Sequence, residues 1–111
     1  RLGGDGSLDP TFGGDGVVTV PLGSGLSDAA VGVGVQPDGR VVVAANDDRT
    51  DGEAVAVLRF RPGGRPDRTF GGTGIVYVEA GQSAWHAMAL GPAGALMLGR
   101  ISPLVTVRVV L

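Results

Sequence analysis

Large and small side chains alternate along much of this chain, and the alternation predicts short β-strands. Between positions 29 and 36 a bulky residue occupies every second place, so we expect one bulky and one small face. The bulky residues are Val31, Val33 and Val35, and the small ones are Ala30, Gly32 and Gly34. Because glycine weakens an isolated strand, Gly32 and Gly34 predict the close approach of a second sheet.

A later stretch, from position 84 to 91, repeats this alternation. Its bulky residues are His86, Met88 and Leu90, and its small residues are Ala87 and Ala89. In both copies a run of consecutive apolar residues follows, at positions 41–43 and 96–98. Such runs are typical of strands that are covered on both faces.

The complete pattern predicts four strands in each of two units, with almost no helix signal. The expected strands are 17–20, 29–36, 40–45 and 53–60, then 75–78, 84–91, 95–99 and 104–110. Gln36 to Gly39 predicts a tight turn, because proline presets φ and glycine accepts positive φ. The polar stretch from Asn46 to Gly52, with Asp47, predicts a solvated loop.

A nine-residue motif occurs twice and defines the units. The stretches Leu8 to Gly16 and Pro66 to Gly74 share Asp-x-Thr-Phe-Gly-Gly-x-Gly, 58 residues apart, and a short Val/Ile run follows each. The repetition predicts two tandem units, residues 1–58 and 59–111, that stack on like neighbours. Radial stacking gives blades of a β-propeller and linear stacking gives a β-solenoid. We expect an all-β fold of two four-stranded antiparallel propeller blades, with the solenoid as the alternative.

Two segments of the first unit, residues 4–13 and 35–44, resemble the delta-60 repeat family of bacterial β-propeller-like tandem repeats. The resemblance covers essentially the whole chain as two copies, although Ala93 stands where the first copy has Asp38. It implies a bacterial protein that is exported or at the cell surface, and motifs without known chemistry. Propellers need about four to eight blades. Two units therefore predict self-association into a ring or filament, or the remainder of a longer parent chain.

Composition limits the partners. The net charge is −2 and no basic patch is visible in the sequence, so we expect no nucleic-acid partner. No apolar run approaches the ~18 residues of a membrane span. Cysteine is absent, so disulfides and thiolate metal sites are excluded.

Oxygen ligands stand at alternating positions at the start of the chain, at Asp5, Ser7 and Asp9, and ligands with this spacing can surround Ca²⁺. Pro10 stands where a calcium loop needs glycine, and no bidentate glutamate follows. A turn in which Asp9 accepts backbone hydrogen bonds is the favoured interpretation. No cofactor is expected, and calcium stays as the alternative.

The residues that recur in both motifs are those that a turn and a hydrophobic plug require. Phe12 and Phe70 are expected to be buried plugs, and the remaining recurring residues to shape the turns. These turn residues are Asp9 and Asp67, Thr11 and Thr69, and Gly13 and Gly71.

Catalytic chemistry has little support in the sequence. His86 is the only histidine, no Gly-x-Ser-x-Gly elbow is present, and a packed structural histidine is favoured. The sequence therefore predicts a protein that is not an enzyme. It predicts instead a module for structural assembly or protein–protein interaction. The alternative is a lectin-like two-blade protomer that oligomerises into a propeller and binds glycan through Trp85 and Tyr77.

Overall fold

The computed structural model describes residues 1–22, 27–49, 52–81, 87–91, 95–100 and 105–110. These residues form β-strands and turns, and none of them forms a helix that could span a membrane. The strands are β1 (Ser27–Val35), β2 (Val41–Arg49), β3 (Gly52–Phe60), β4 (Ile75–Gly81), β5 (Ala87–Leu90), β6 (Ala95–Arg100) and β7 (Val105–Val110).

The strands form two antiparallel sheets. The first has the order β1-β2-β3-β4 and the second the order β5-β6-β7. The expected all-β, antiparallel class is confirmed. A tight turn connects β1 and β2: the Gly39 N–H donates to the Gln36 carbonyl at 2.9 Å, and Gly39 has a φ of 87°. A longer connection, residues 61–74, joins β3 to β4.

The four-stranded sheet does not coincide with one sequence unit. Its last strand, β4, belongs to the second unit but pairs with β3 of the first, with Ala56 opposite Tyr77 and Leu58 opposite Ile75. The sheet therefore crosses the unit boundary after residue 58. This four-stranded sheet consists of three strands that lie mainly in the first unit and the first strand of the second unit.

This arrangement explains why the strand expected at 17–20 is absent. Residues 17–20 make no ladder, whereas their copy, residues 75–78, lies within β4. The copy is a strand because β3 satisfies its backbone groups on one side. The described part of the chain offers 17–20 no corresponding partner strand.

The polar stretch predicted as a loop is largely strand. β2 continues to Arg49, which pairs with Gly52, and Asp47 lies opposite Ala54 with its side chain fully buried. The prediction of a solvated Asp47 was therefore wrong. Composition suggested a loop, but β3 supplies a backbone partner for every residue of β2 up to the hairpin.

A β-bulge in β1 changes the side to which Val31 belongs. Ala30 pairs with Ala45 and Gly32 with Ala44, so Val31 has no partner residue between them. Val31 packs with the core cluster around Val42, on the side opposite to Val33. The prediction that Val31, Val33 and Val35 share one face was wrong, because the extra residue breaks the period of two.

The consecutive apolar residues of β2 alternate between the two faces of the sheet. Val42 is buried on the first face, whereas Val41 and Val43 are half-buried on the second, so the expected cover is complete on the first face only. The side chains of the second run, 96–98, lie outside the described residues. The first face carries a buried cluster that faces β5 and contains Val42, Ala44, Val55, Val57 and Phe70. The second face carries Leu22, Ala45, Ala56, Leu58 and Phe60, with Val18 and Val20 packed against them. Burial of these side chains on both sides is the main stabilising contribution.

The prediction that Gly32 and Gly34 mark a close approach is confirmed. A Cβ added to Gly34 would overlap Leu90 Cδ1 and lie 2.8 Å from Leu90 Cγ. One added to Gly32 would lie 3.1 Å from Met88 Cβ. The small side of β1 therefore receives the bulky side of β5, and the two sheets pack together there.

Candidate functional site

The two copies of the motif form nearly identical structures, which we call the first joint (residues 1–16) and the second joint (residues 59–74). The Phe12 N–H donates to the Asp9 carbonyl at 3.1 Å, and the Phe70 N–H to the Asp67 carbonyl at 3.0 Å. Gly13 and Gly71 both have positive φ, 68° and 61°. Both phenylalanine side chains are buried. The repeated residues therefore define one local geometry.

Glycine is required at these recurring positions for two reasons: the backbone has positive φ, and a side chain would clash with neighbouring atoms. A Cβ at Gly13 would lie 2.6 Å from the Val17 carbonyl oxygen, and one at Gly71 would lie 2.9 Å from that of Ile75. The joints also touch each other, because the Gly13 N–H donates to the Gly63 carbonyl at 2.8 Å. A side chain at these glycines would disturb the exit of the chain from the turn.

The aspartate and threonine of each joint form a compact hydrogen-bonded pair. Asp9 Oδ1 accepts from Thr11 N at 3.0 Å and from Thr11 Oγ1 at 2.6 Å. Asp67 Oδ1 accepts from the same atoms of Thr69, at 3.1 and 2.6 Å. These hydrogen bonds lower the pKa of both carboxyl groups, because they favour the charged form.

The second joint places two arginines against its aspartate, where the first joint has one, Arg1 at 3.5 Å from Asp9. Asp67 Oδ2 lies 2.9 Å from Arg59 Nε and 2.8 Å from Arg40 Nε, and the Asp67 side chain is fully buried. These contacts are ion pairs in which the N–H groups are not aligned for hydrogen bonds to Oδ2. The Thr69 hydrogen bonds and the two guanidinium groups together hold the pKa of Asp67 at about 2.

Arg59 connects the ion pair to the core. Its Nη2 donates to Thr69 Oγ1 at 3.2 Å, and its guanidinium carbon lies 4.8 Å from the centroid of the Phe70 ring. Both oxygens of the Asp67 carboxylate therefore have partners within the protein. Its geometry is that of a structural ion pair.

The calcium prediction concerns Asp5, Ser7 and Asp9 of the first joint. Asp5 Oδ1 accepts from Ser7 N at 3.1 Å and from Ser7 Oγ at 2.7 Å, so the carboxylate closes its own turn. In the described ranges no group of three or more acidic, histidine or cysteine side chains could hold a metal ion. Calcium binding therefore stays a prediction without support from this geometry.

An apolar recess lies on the second face of the four-stranded sheet, and we call it the apolar groove. Its volume is about 340 Å³. The N-terminal segment contributes Phe12 and Val18, the sheet contributes Val33, Val35, Val41, Val43 and Phe60, and Arg1 is the charged residue of the lining. Val33 is 68% exposed and Val35 is 63% exposed. This groove is the candidate functional site.

The sequence did not reveal a second surface feature, a recess of about 270 Å³ on the second joint that is lined by Arg61, Arg65 and Arg68. All three side chains belong to exposed residues. The three arginines lie within eight residues of one predicted turn, and this clustering was the signal in the sequence that could have indicated a basic recess. The first joint has Gly3, Ser7 and Pro10 at these places, so this arginine lining belongs to the second joint.

The residues of the glycan prediction are only partly described. Trp85 and His86 lie outside the described residues. Tyr77 belongs to β4 and is 42% exposed. Glycan binding through Trp85 and Tyr77 therefore stays a prediction.

Comparison with known families agrees with the sheet architecture. Residues 36–70, about a third of the chain, match a family model described as a domain of unknown function (DUF5122) beta-propeller. The matched residues contain β2, β3 and most of the second joint. No curated protein and no solved structure matches the chain. The match and the antiparallel sheets identify a β-propeller fold.

Proposed function

We propose that this chain is a non-catalytic β-propeller repeat module that serves structural assembly or protein–protein interaction. Its repeats are of the delta-60 kind, and its location is extracellular or at the cell surface of a bacterium. The observation that carries the proposal is the apolar groove with its exposed Val33 and Val35. The location rests on the resemblance of the repeats.

The groove supports an interaction role because its exposed valine side chains forgo the free energy that burial would contribute. Burying a valine side chain completely contributes about 1.5–3 kcal/mol relative to leaving it in water. Val33 and Val35 are neighbours on one side of β1 and forgo most of that contribution. Contiguous exposed apolar surface beside a covered core is typical of a site that a macromolecule covers.

The charged groups of the joints support a non-catalytic role. The hydrogen bonds from Ser7 and Thr69 lower the pKa of Asp5 and Asp67, and the hydrogen bond from the Arg40 N–H lowers that of Asp38. A general base works best when its pKa lies near the operating pH, whereas these carboxylates are moved further from neutrality. Their role is to hold turns.

Light scattering together with electron microscopy tests the proposal. We expect the folded chain to form particles larger than one chain as its concentration rises, and images to show rings or filaments. A chain with native circular dichroism that keeps the mass of one molecule at every concentration, and binds no protein, would contradict an assembly role.

A further inference from the structure

We propose that the apolar groove binds a second copy of this chain, through the side of β5 that lies opposite to Met88 and Leu90. The inference rests on the proposed assembly function and specifies its partner and its two surfaces. The groove side of β1 is called the bulky surface (Val33 and Val35). The far side of β5, with Ala89, is called the small surface.

The chain already contains one interface of the proposed kind. Met88 and Leu90 of β5 lie against Gly32 and Gly34 of β1, so closely that an added Cβ would lie 3.1 Å from Met88 Cβ or overlap Leu90. Met88 and Leu90 also pack on the core cluster of the first face. Bulky residues of one inner strand thus fit the small residues of the neighbouring inner strand.

The ladder registers show that β1 and β5 are equivalent strands. Val33 pairs with Val43 and Met88 with Leu98, at matching positions of the two units. By the same registers Val35 corresponds to Leu90. Val33 and Val35 are therefore the counterparts of Met88 and Leu90, but they are exposed, and none of the described strands packs small residues against them.

The complementary half of the interface lies in the second unit. Ala89 of β5 corresponds to Gly34 of β1, and Ala89 is exposed. The chain thus has an unused bulky surface on β1 and an unused small surface on β5. Two different surfaces that fit each other give a head-to-tail contact, which closes into a ring or continues as a filament.

Strand pairing supports the same orientation. Leu58 pairs with Ile75 in the complete sheet. The registers make Val107 the counterpart of Leu58, and the 58-residue spacing of the motif makes Val17 the counterpart of Ile75. In the docked pair β7 of one copy therefore places Val107 opposite Val17 of the other. The three-stranded sheet gains its fourth strand, and residues 17–20 gain their missing partner.

The same register requires one local adjustment. Arg59 pairs with Val42 and Arg108 with Met97, and Arg1 stands 58 positions before Arg59. Arg1 of one copy and Arg108 of the other would therefore occupy equivalent places. Docking therefore displaces one of these two segments. We expect the segment around Arg1 to move, because it is exposed and is held by a few hydrogen bonds, such as the one that the Arg1 amine donates to the Gly16 carbonyl at 2.6 Å.

A mixing experiment with two charged variants tests the proposal. The double variant Val33→Asp/Val35→Asp removes the bulky surface, and Ala89→Asp removes the small surface. Each variant alone should self-associate at least about tenfold more weakly than the unchanged chain, because a carboxylate would be buried in an apolar contact. Mixed together, they should form a particle of two chains that grows no further, since one intact surface of each kind remains.

Thr73→Asp is the matched control, because Thr73 is exposed on the second joint and outside the groove, and the first joint has an aspartate, Asp15, at the same place. It should associate like the unchanged chain. Circular dichroism of every variant verifies the fold, and the substituted positions are exposed, so native spectra are expected.

The outcomes separate this proposal from the broader function. If the unchanged chain assembles but the variants assemble equally well, the inference is wrong and the assembly function stands. If the two variants fail to combine in the mixture, the head-to-tail arrangement is wrong. If the unchanged chain never assembles, the proposed function fails together with the inference.

Discussion

The two joints have the same local structure and different surroundings. Asp9 and Asp67 accept the same two hydrogen bonds from their threonines, with distances that agree within 0.1 Å. Asp67 is fully buried between two arginines, whereas Asp9 has one arginine at 3.5 Å and an exposed turn around it. The comparison shows that the motif encodes the turn, and that a neighbouring β-hairpin supplies burial and charge.

Arg40 shows where the difference comes from. It follows the turn between β1 and β2 and reaches the second joint, so the sheet of the first unit completes the joint of the next. The same relation holds for the strands, because residues 75–78 pair with β3 while residues 17–20 make no ladder. Each joint is complete only when a preceding sheet lies beside it.

The largest expected effect separates the two phenylalanines. Phe70 belongs to the core cluster between the sheets, whereas Phe12 lines the apolar groove. Phe70→Ala should lower the free energy of unfolding by about 3–5 kcal/mol. Phe12→Ala should cost clearly less, because the groove side is already open. Urea unfolding measures both, and equal costs would show that the two joints are equally packed.

A smaller effect compares the covered and uncovered small positions. Gly34→Ala should lower the free energy of unfolding by about 1–3 kcal/mol, because the added Cβ overlaps Leu90. The matched variant Ala89→Val adds bulk to an exposed position and should change stability by less than about 0.5 kcal/mol. If both variants were tolerated equally, the tight packing of β5 on β1 would be disproved.

The pH dependence of stability gives the finest comparison. The pKa of Asp67 is about 2, below its ordinary value of 3.8, so folding gains stability that is complete above pH 3.8 and is lost as the pH falls towards 2. Asp67→Asn should reduce this acid-dependent loss more than Asp9→Asn does. Thermal unfolding between about pH 5 and pH 2 measures the slopes, and equal slopes for both variants would contradict a special role for the buried pair.

The sequence was most informative where local pattern decides the structure. The motif predicted the two turns, and the alternation predicted β1, β5 and the contact at Gly32 and Gly34. It failed where a partner strand decides the structure: Asp47 is in a strand because β3 pairs with it, whereas no described strand pairs with residues 17–20. It also failed at Val31, where a bulge reverses the face.

The apolar groove could not be read from the sequence for a related reason. The apolar character of Val33 and Val35 was visible, but exposure depends on which sheet lies opposite. A pattern of large and small residues predicts that two surfaces fit. It does not tell which copy of the pattern is covered and which is left open.

Amide hydrogen exchange of residues 17–20, compared with their copy at 75–78, tests the central claim most directly. In dilute solution we expect the N–H groups of 17–20 to exchange far faster, because they have no strand partner. As the concentration rises, their exchange should slow towards that of 75–78, since β7 of a second copy pairs with them. Equal protection of both segments at every concentration would contradict the account.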